Sequence, residues 1–203
     1  MKNELLKRLL SSVALIVVAF FFIIKGSIFF NFFILAVLTI TLYEWHFLSL
    51  KKIYYLPGFI FIIFSLYTCY FLRSEGDYKI FILILITCIS TDIGGYIFGK
   101  IFKGKKLTKI SPNKTYAGFI GSLILSLLVS YTFFSNLNID QNYLQVTIIL
   151  SLVSQIGDLA ISYLKRLAKI KDTGSFLPGH GGILDRIDGI LLALPFGIIL
   201  INI

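Results

Sequence analysis

An all-α, polytopic integral membrane protein of about seven transmembrane helices is the fold class this sequence predicts, and three observations predict it. Hydrophobic residues fill 57% of the 203 positions and charged residues only 14%. Mean hydropathy is +0.90, too apolar for a water-soluble domain of this length. The apolar residues are gathered into seven runs, at about 9 to 24, 27 to 49, 56 to 72, 78 to 98, 116 to 136, 143 to 164 and 183 to 203. A helix needs about 20 such residues to cross the hydrocarbon layer, where the backbone must satisfy its own N–H and C=O groups.

The first run follows a basic stretch with Lys2, Lys7 and Arg8, as a secretory leader would. No small-x-small cleavage site precedes Lys25 and more apolar runs follow at once, so the segment reads as a retained first span. The first and third runs are short, and 9 to 49 can form a tight hairpin turning at Lys25-Gly26. Cys69 and Cys88 each lie inside an apolar run, which makes them packing residues and not metal ligands or a disulfide. Internal repeats and low-complexity linkers are absent, so a single membrane domain is expected.

A net charge of +9 in so apolar a chain points to an anionic membrane surface and not to nucleic acid. With the N-terminus in the cytosol, all but Lys25, Arg73 and Lys79 of the 19 basic residues fall on the cytosolic side, and the external 137 to 142 connection carries only Asp140. The positive-inside rule therefore predicts N-in, C-out. Two internal loops, 99–115 and 165–182, hold most of the Lys, Arg, Gly and Pro. They are the candidate active surface, unless their charges only set topology.

Four carboxylates, Asp92, Asp158, Asp185 and Asp188, lie at or just inside the cytosolic ends of spans, where burial is costly without compensation. Asp158, Ser162, Lys165, Arg166 and Lys169 draw one polar stripe along the sixth run, while Asp185 and Asp188 are i, i+3 at the start of the last. Aspartates converging from separate helices would suit Mg2+ that also carries phosphate oxygens. The bland reading is helix capping and pairing with Lys165, Arg166 and Arg186. Between these groups runs Lys171-Asp172 through Pro178-Gly179-His180-Gly181-Gly182, whose glycines permit close backbone approach to a phosphate. His180 reads equally as a metal ligand, an acid-base group or a loop-ordering hydrogen bonder. The other loop, from Gly99 and Lys100 through Ser111-Pro112-Asn113-Lys114-Thr115, could clamp a triphosphate or an anionic lipid head.

The fixed positions Ser162, Leu164, Lys165, Arg166, Lys171, Asp172, Gly174, Leu177, Pro178, His180, Gly181, Gly182, Asp185, Arg186 and Asp188 together resemble the phosphatidate cytidylyltransferase signature. Supporting segments resemble the same family: Asp92 with Gly95, Tyr96 and Gly99, then Ser111-Pro112-x-Lys114-Thr115, and Gly157-Asp158-Leu159. The likeness is good over about 91 to 190 and loose before it, which separates N-terminal helices (1–90) from a catalytic transmembrane region (91–203). Departures are Ile161 where members commonly carry Glu, and Tyr116 and Ala117 after Lys-Thr.

The resemblance implies transfer of a cytidylyl group from CTP to phosphatidic acid, giving CDP-diacylglycerol and pyrophosphate in phospholipid biosynthesis. Implied with it are Mg2+, with room for a second cation, and membrane lipid as a partner; a homodimer is compatible with it. Asp158 and Asp185 are assigned as metal ligands, with Asp188 and Asp92 as further ligands or supports. Lys165, Arg166 and Lys171 would neutralise phosphates, with Asp172 and His180 beside them in the catalytic loop. Ser162, Gly181, Gly182, Arg186, Ser111, Lys114, Thr115 and Tyr96 are candidate substrate-binding residues. A bacterial inner membrane, with the site facing the cytosol, is the expected location.

Two rival readings exist. Asp185-x2-Asp188-Gly189 resembles the opening of the CDP-alcohol phosphotransferase motif, but the chain after Gly189 lacks the further aspartates that motif needs. A small transporter or channel could use intramembrane aspartates as a cation path, although transport sites usually lie nearer the bilayer midplane.

Overall fold

The structure, a computed structural model, describes residues 17–76, 78–135, 142–174, 176 and 181–201. Among these residues the secondary structure is helical apart from turns, bends and isolated bridging residues, among them the bridge between Lys106 and Thr115. Helix α1 is described over residues 17–25, followed by α2 (Ser27–Ser49), α3 (Tyr55–Ser74), α4 (Tyr78–Phe102), α5 (Tyr116–Phe134), α6 (Tyr143–Leu167) and α7 (Leu184–Ile201). Helices α2 to α6 are long and apolar enough to cross a membrane. The 18-residue α7 carries Asp185, Arg186 and Asp188 near its start and is not among those five. The expectations for Lys2, Lys7, Arg8, Asp140, Leu177, Pro178, Gly179 and His180 lie outside the described residues.

The helices form two compact units, one of residues up to Gly76 with Leu164–Ile187, the other of Asp77–Tyr163 with Asp188–Ile203. The division expected near residue 90 falls inside α4.

In the first unit the chain breaks at Gly26, where Gly26 and Ser27 take positive φ (62° and 49°). Phe22 and Phe33 stack with ring centroids 5.3 Å apart across the break. Eleven residues along one straight helix would separate them by about 16 Å, so the chain turns sharply here. Arg73 seals the turn: its Nε donates to the carbonyl of Ile23 at 2.7 Å and its guanidinium lies 5.8 Å from the Phe30 ring. A side chain at position 26 would collide with that guanidinium, which together with the φ explains the glycine. Helices α2 and α3 lock where the Trp45 ring lies on Gly58 and its Nε1 donates to the Tyr55 carbonyl at 3.0 Å.

The second unit packs through small residues. A Cβ at Gly94 would meet the Gly121 carbonyl at 2.7 Å, and one at Gly118 would meet the Gly95 carbonyl at 2.7 Å, so α4 and α5 run backbone against backbone. Such close approach is how membrane helices gain dispersion energy when lipid removes the hydrophobic drive between them. Hydroxyls tie α4 to both α6 and α5: Thr91 Oγ1 donates to Ser151 Oγ of α6 at 2.8 Å, and Thr87 faces Ser130 of α5 at 3.5 Å. Cys69 and Cys88 are buried and free, as packing residues should be.

Candidate active site

The 99–115 loop is a built structure and not a loose charge run. The bridge between Lys106 and Thr115 is reinforced by Leu107 N–H donating to the Lys114 carbonyl (2.8 Å) and Tyr116 N–H to that of Lys105 (3.2 Å). A turn closes where Lys114 N–H donates to the Ser111 carbonyl at 3.0 Å, which is the local reason for the Ser-Pro-Asn-Lys run. Thr115 then caps α5, its Oγ1 accepting from Gly118 N–H at 3.1 Å. The fold returns Lys114 onto α6, with Nζ 2.5 Å from Asp158 Oδ2, and Ser162 Oγ donates to Asp158 Oδ1 at 3.3 Å. Tyr96 is exposed on α4, with its hydroxyl 3.4 Å from Lys100 Nζ.

In the same unit Asp92 is exposed on α4, and Asp188 Oδ1 accepts from Gly189 N–H at 2.9 Å. Gly157 lets α7 approach α6, since a Cβ there would meet the Asp188 carbonyl at 2.8 Å. The departure at Ile161 is a buried apolar residue on α6.

A second centre lies in the other unit, around Asp185 in the first turn of α7. Its Oδ1 accepts from Lys165 Nζ at 2.7 Å, and its Oδ2 accepts from the N–H groups of Thr173 (2.8 Å) and Gly182 (3.0 Å). Burial opposes a charge here, while the ammonium, two amides and the positive end of the helix all favour it. Asp185 thus pairs with Lys165, which is buried against it, while its amide donors come from Thr173 and Gly182 ahead of α7. Gly181, at φ 84°, occupies a left-handed position between Asp185 and Asp172 that favours glycine. Arg166, Lys171, Asp172 and Arg186 are exposed, and Arg166 returns one N–H to the Ile170 carbonyl at 3.2 Å.

Sequence reasoning passed over Glu44. This carboxylate, 3% exposed on α2, accepts from Thr173 Oγ1 (3.0 Å) and from the N–H groups of Ile183 (2.9 Å) and Leu184 (2.8 Å). A signal was available, because Glu44 is the only Asp, Glu, Lys or Arg within Ser27–Ser49, and a lone carboxylate in an apolar span is a site candidate. Glu44 and Thr173 also line a cavity of about 660 Å3 with Thr39, Ile40, Tyr43, Phe47, Gly174 and Phe176.

Residues 54–203 match the Cytidylyltransferase family. Similar proteins include the phosphatidate cytidylyltransferase of Staphylococcus haemolyticus, 48% identical over 130 residues, covering 62% of this chain and 50% of the relative. That of Staphylococcus aureus (strain COL) is 48% identical over 127 residues, covering 61% and 48%, and that of Staphylococcus saprophyticus 48% over 136 residues, covering 64% and 52%. The chain spans about half the length of the curated relatives it matches. The family match takes in the Lys114–Asp158 pair and the Lys165–Asp185 pair alike, and by it the chain belongs to the cytidylyltransferase family.

Proposed function

We propose that this chain transfers a cytidylyl group from CTP to phosphatidic acid, releasing pyrophosphate and leaving CDP-diacylglycerol in the membrane. The observation that carries the reading is the run Ser162 to Asp188, whose signature residues Lys165 and Asp185 form one hydrogen-bonded centre with the Thr173 and Gly182 amides. The names of the staphylococcal relatives support the same substrates.

In the reaction, a phosphate oxygen of the lipid attacks the α-phosphorus of CTP in line. The bond from that phosphorus to the bridging oxygen of the β-phosphate breaks, and pyrophosphate leaves with the electron pair. The attacking monoester is already ionised near neutral pH, so no strong base is required. The protein's task is to position two anions and offset their charge. Exposed Arg166 and Lys171 are available to phosphates, whereas Lys165 and Lys114 hold Asp185 and Asp158 in place. The largely apolar cavity beside Glu44 is the proposed seat for the glycerol and acyl part of the lipid.

As proposed ligands of Mg2+, Asp158 in one unit and Asp185 in the other, with Asp188 and Asp92 as further ligands or supports, offer only oxygen donors. A carboxylate offers about four lone-pair sites, of which Asp158 has committed two and Asp185 three. Among the described residues no group of three or more His, Cys, Asp and Glu side chains is gathered for a metal. Water and substrate phosphates would therefore complete the shell, the arrangement Mg2+ favours. When bound, the cation supplies charge neutralisation for the departing pyrophosphate.

The proposed setting is a bacterial inner membrane with N-in, C-out threading and the site at the cytosolic border, where soluble CTP and leaflet-held phosphatidic acid can both reach it. The test is purified protein with labelled CTP and phosphatidic acid, with and without Mg2+. A labelled lipid that depends on both is expected; label that never enters lipid would overturn the reading.

A further inference from the structure

We propose that Glu44 is a positioning residue: from a helix upstream of the family match, it holds the segment that fixes the Asp185 carboxylate. Its carboxylate is almost wholly buried, and among the described residues its three donors are uncharged: the Thr173 hydroxyl and the N–H groups of Ile183 and Leu184. A buried carboxylate without a cation is costly unless several N–H or O–H groups converge on it. Here two of the three are the otherwise orphaned amides at the start of α7, where the helix dipole favours negative charge.

Thr173 joins this anchor to the candidate centre. Its hydroxyl donates to Glu44 at 3.0 Å while its amide donates to Asp185 at 2.8 Å, so a shift of Thr173 disturbs both carboxylates. Gly182 is held in the same way from the other side, giving its N–H to Asp185 at 3.0 Å one residue before Ile183 gives its own to Glu44. The glycines report how closely the segment is wrapped. Neither Gly174 nor Gly182 has a positive φ, yet a Cβ at 174 would lie 2.8 Å from Glu44 Oε1 and one at 182 would strike the same carboxylate. These positions are glycine because Glu44 occupies the space a side chain would need.

The turnover readout rests on the transferase reading; amide exchange does not. The experiment compares full-length wild type with Glu44→Gln and Thr173→Val in detergent micelles, by steady-state kinetics and hydrogen exchange. Glu44→Gln is expected to lower kcat about 10- to 100-fold with KM for CTP and phosphatidic acid within about threefold, the split of a misplaced catalytic group and not of lost substrate contacts. Exchange at Gly182, Ile183 and Leu184 should rise about tenfold in both variants. Wild-type kcat in both variants, a KM effect alone, or unchanged exchange overturns the proposal. If Glu44→Gln does not fold, Thr173→Val decides. Should wild type make no CDP-diacylglycerol, the transferase reading falls, and exchange in the same variants still decides the positioning.

Discussion

The Lys165 ammonium lies 2.7 Å from Asp185 Oδ1, with the two side chains only 11% and 6% exposed. Lys165→Met therefore leaves a buried carboxylate that keeps its two amide donors but loses its cation. A loss of about 3 kcal/mol in unfolding free energy is expected. Adding Asp185→Asn should recover part of that loss, because the two sites are coupled. Denaturant unfolding in micelles checks it, and additive effects of the two substitutions would show that the pair is not coupled.

Lys114 and Asp158 also meet, but with side chains 26% and 30% exposed. A partly solvated pair contributes under about 1 kcal/mol, so Asp158→Asn should insert and unfold much like wild type. Its turnover should nonetheless fall by about 100-fold or more if this carboxylate holds the cation that offsets the negative charge growing in the transition state. Near-wild-type turnover would remove Asp158 from the mechanism.

Gly118 and Gly104 separate the two reasons for a glycine. At Gly118 a Cβ meets the Gly95 carbonyl at 2.7 Å, so Gly118→Leu must push α4 and α5 apart, at a cost of about 1–3 kcal/mol. Gly104 has φ 98° with nothing within 4 Å of a Cβ, so Gly104→Ala meets only backbone strain, about 1 kcal/mol. Limited proteolysis or thermal unfolding should rank the two in that order, and the reverse order would contradict the packing described for α4 and α5.

Chelation by EDTA is expected to stop turnover without unfolding the chain. The observation behind this is that Asp158 and Asp185 are already held by Lys114, Lys165, Ser162 and two backbone amides. Circular dichroism and the unfolding midpoint should stay in place while product formation ceases. A cooperative loss of helix on chelation would mean that the ion is structural.

Helix positions were largely legible because period and length report on lipid directly: the runs expected at 27 to 49 and 78 to 98 reappear as Ser27–Ser49 and Tyr78–Phe102. The turn at Lys25-Gly26 was legible from a glycine beside a charge, but its closure was not, since Arg73 arrives from fifty residues away. Candidate site residues were picked out by spacing, and Lys165 was expected both to neutralise phosphates and, on the bland reading, to pair with an aspartate. The structure shows its pairing with Asp185, a contact across twenty residues that no helical repeat sets. Glu44 escaped notice because its donors are 129 to 140 positions later, a separation to which periodicity is blind.

That separation sets an order of events during synthesis. A chain growing at roughly 5–20 residues per second delivers α2 to the bilayer on the order of ten seconds before Leu184 leaves the ribosome. For most of that interval the Glu44 carboxylate has none of its three donors, which arrive with Thr173, Ile183 and Leu184. Settling of α2 therefore waits on the arrival of Ile183 and Leu184.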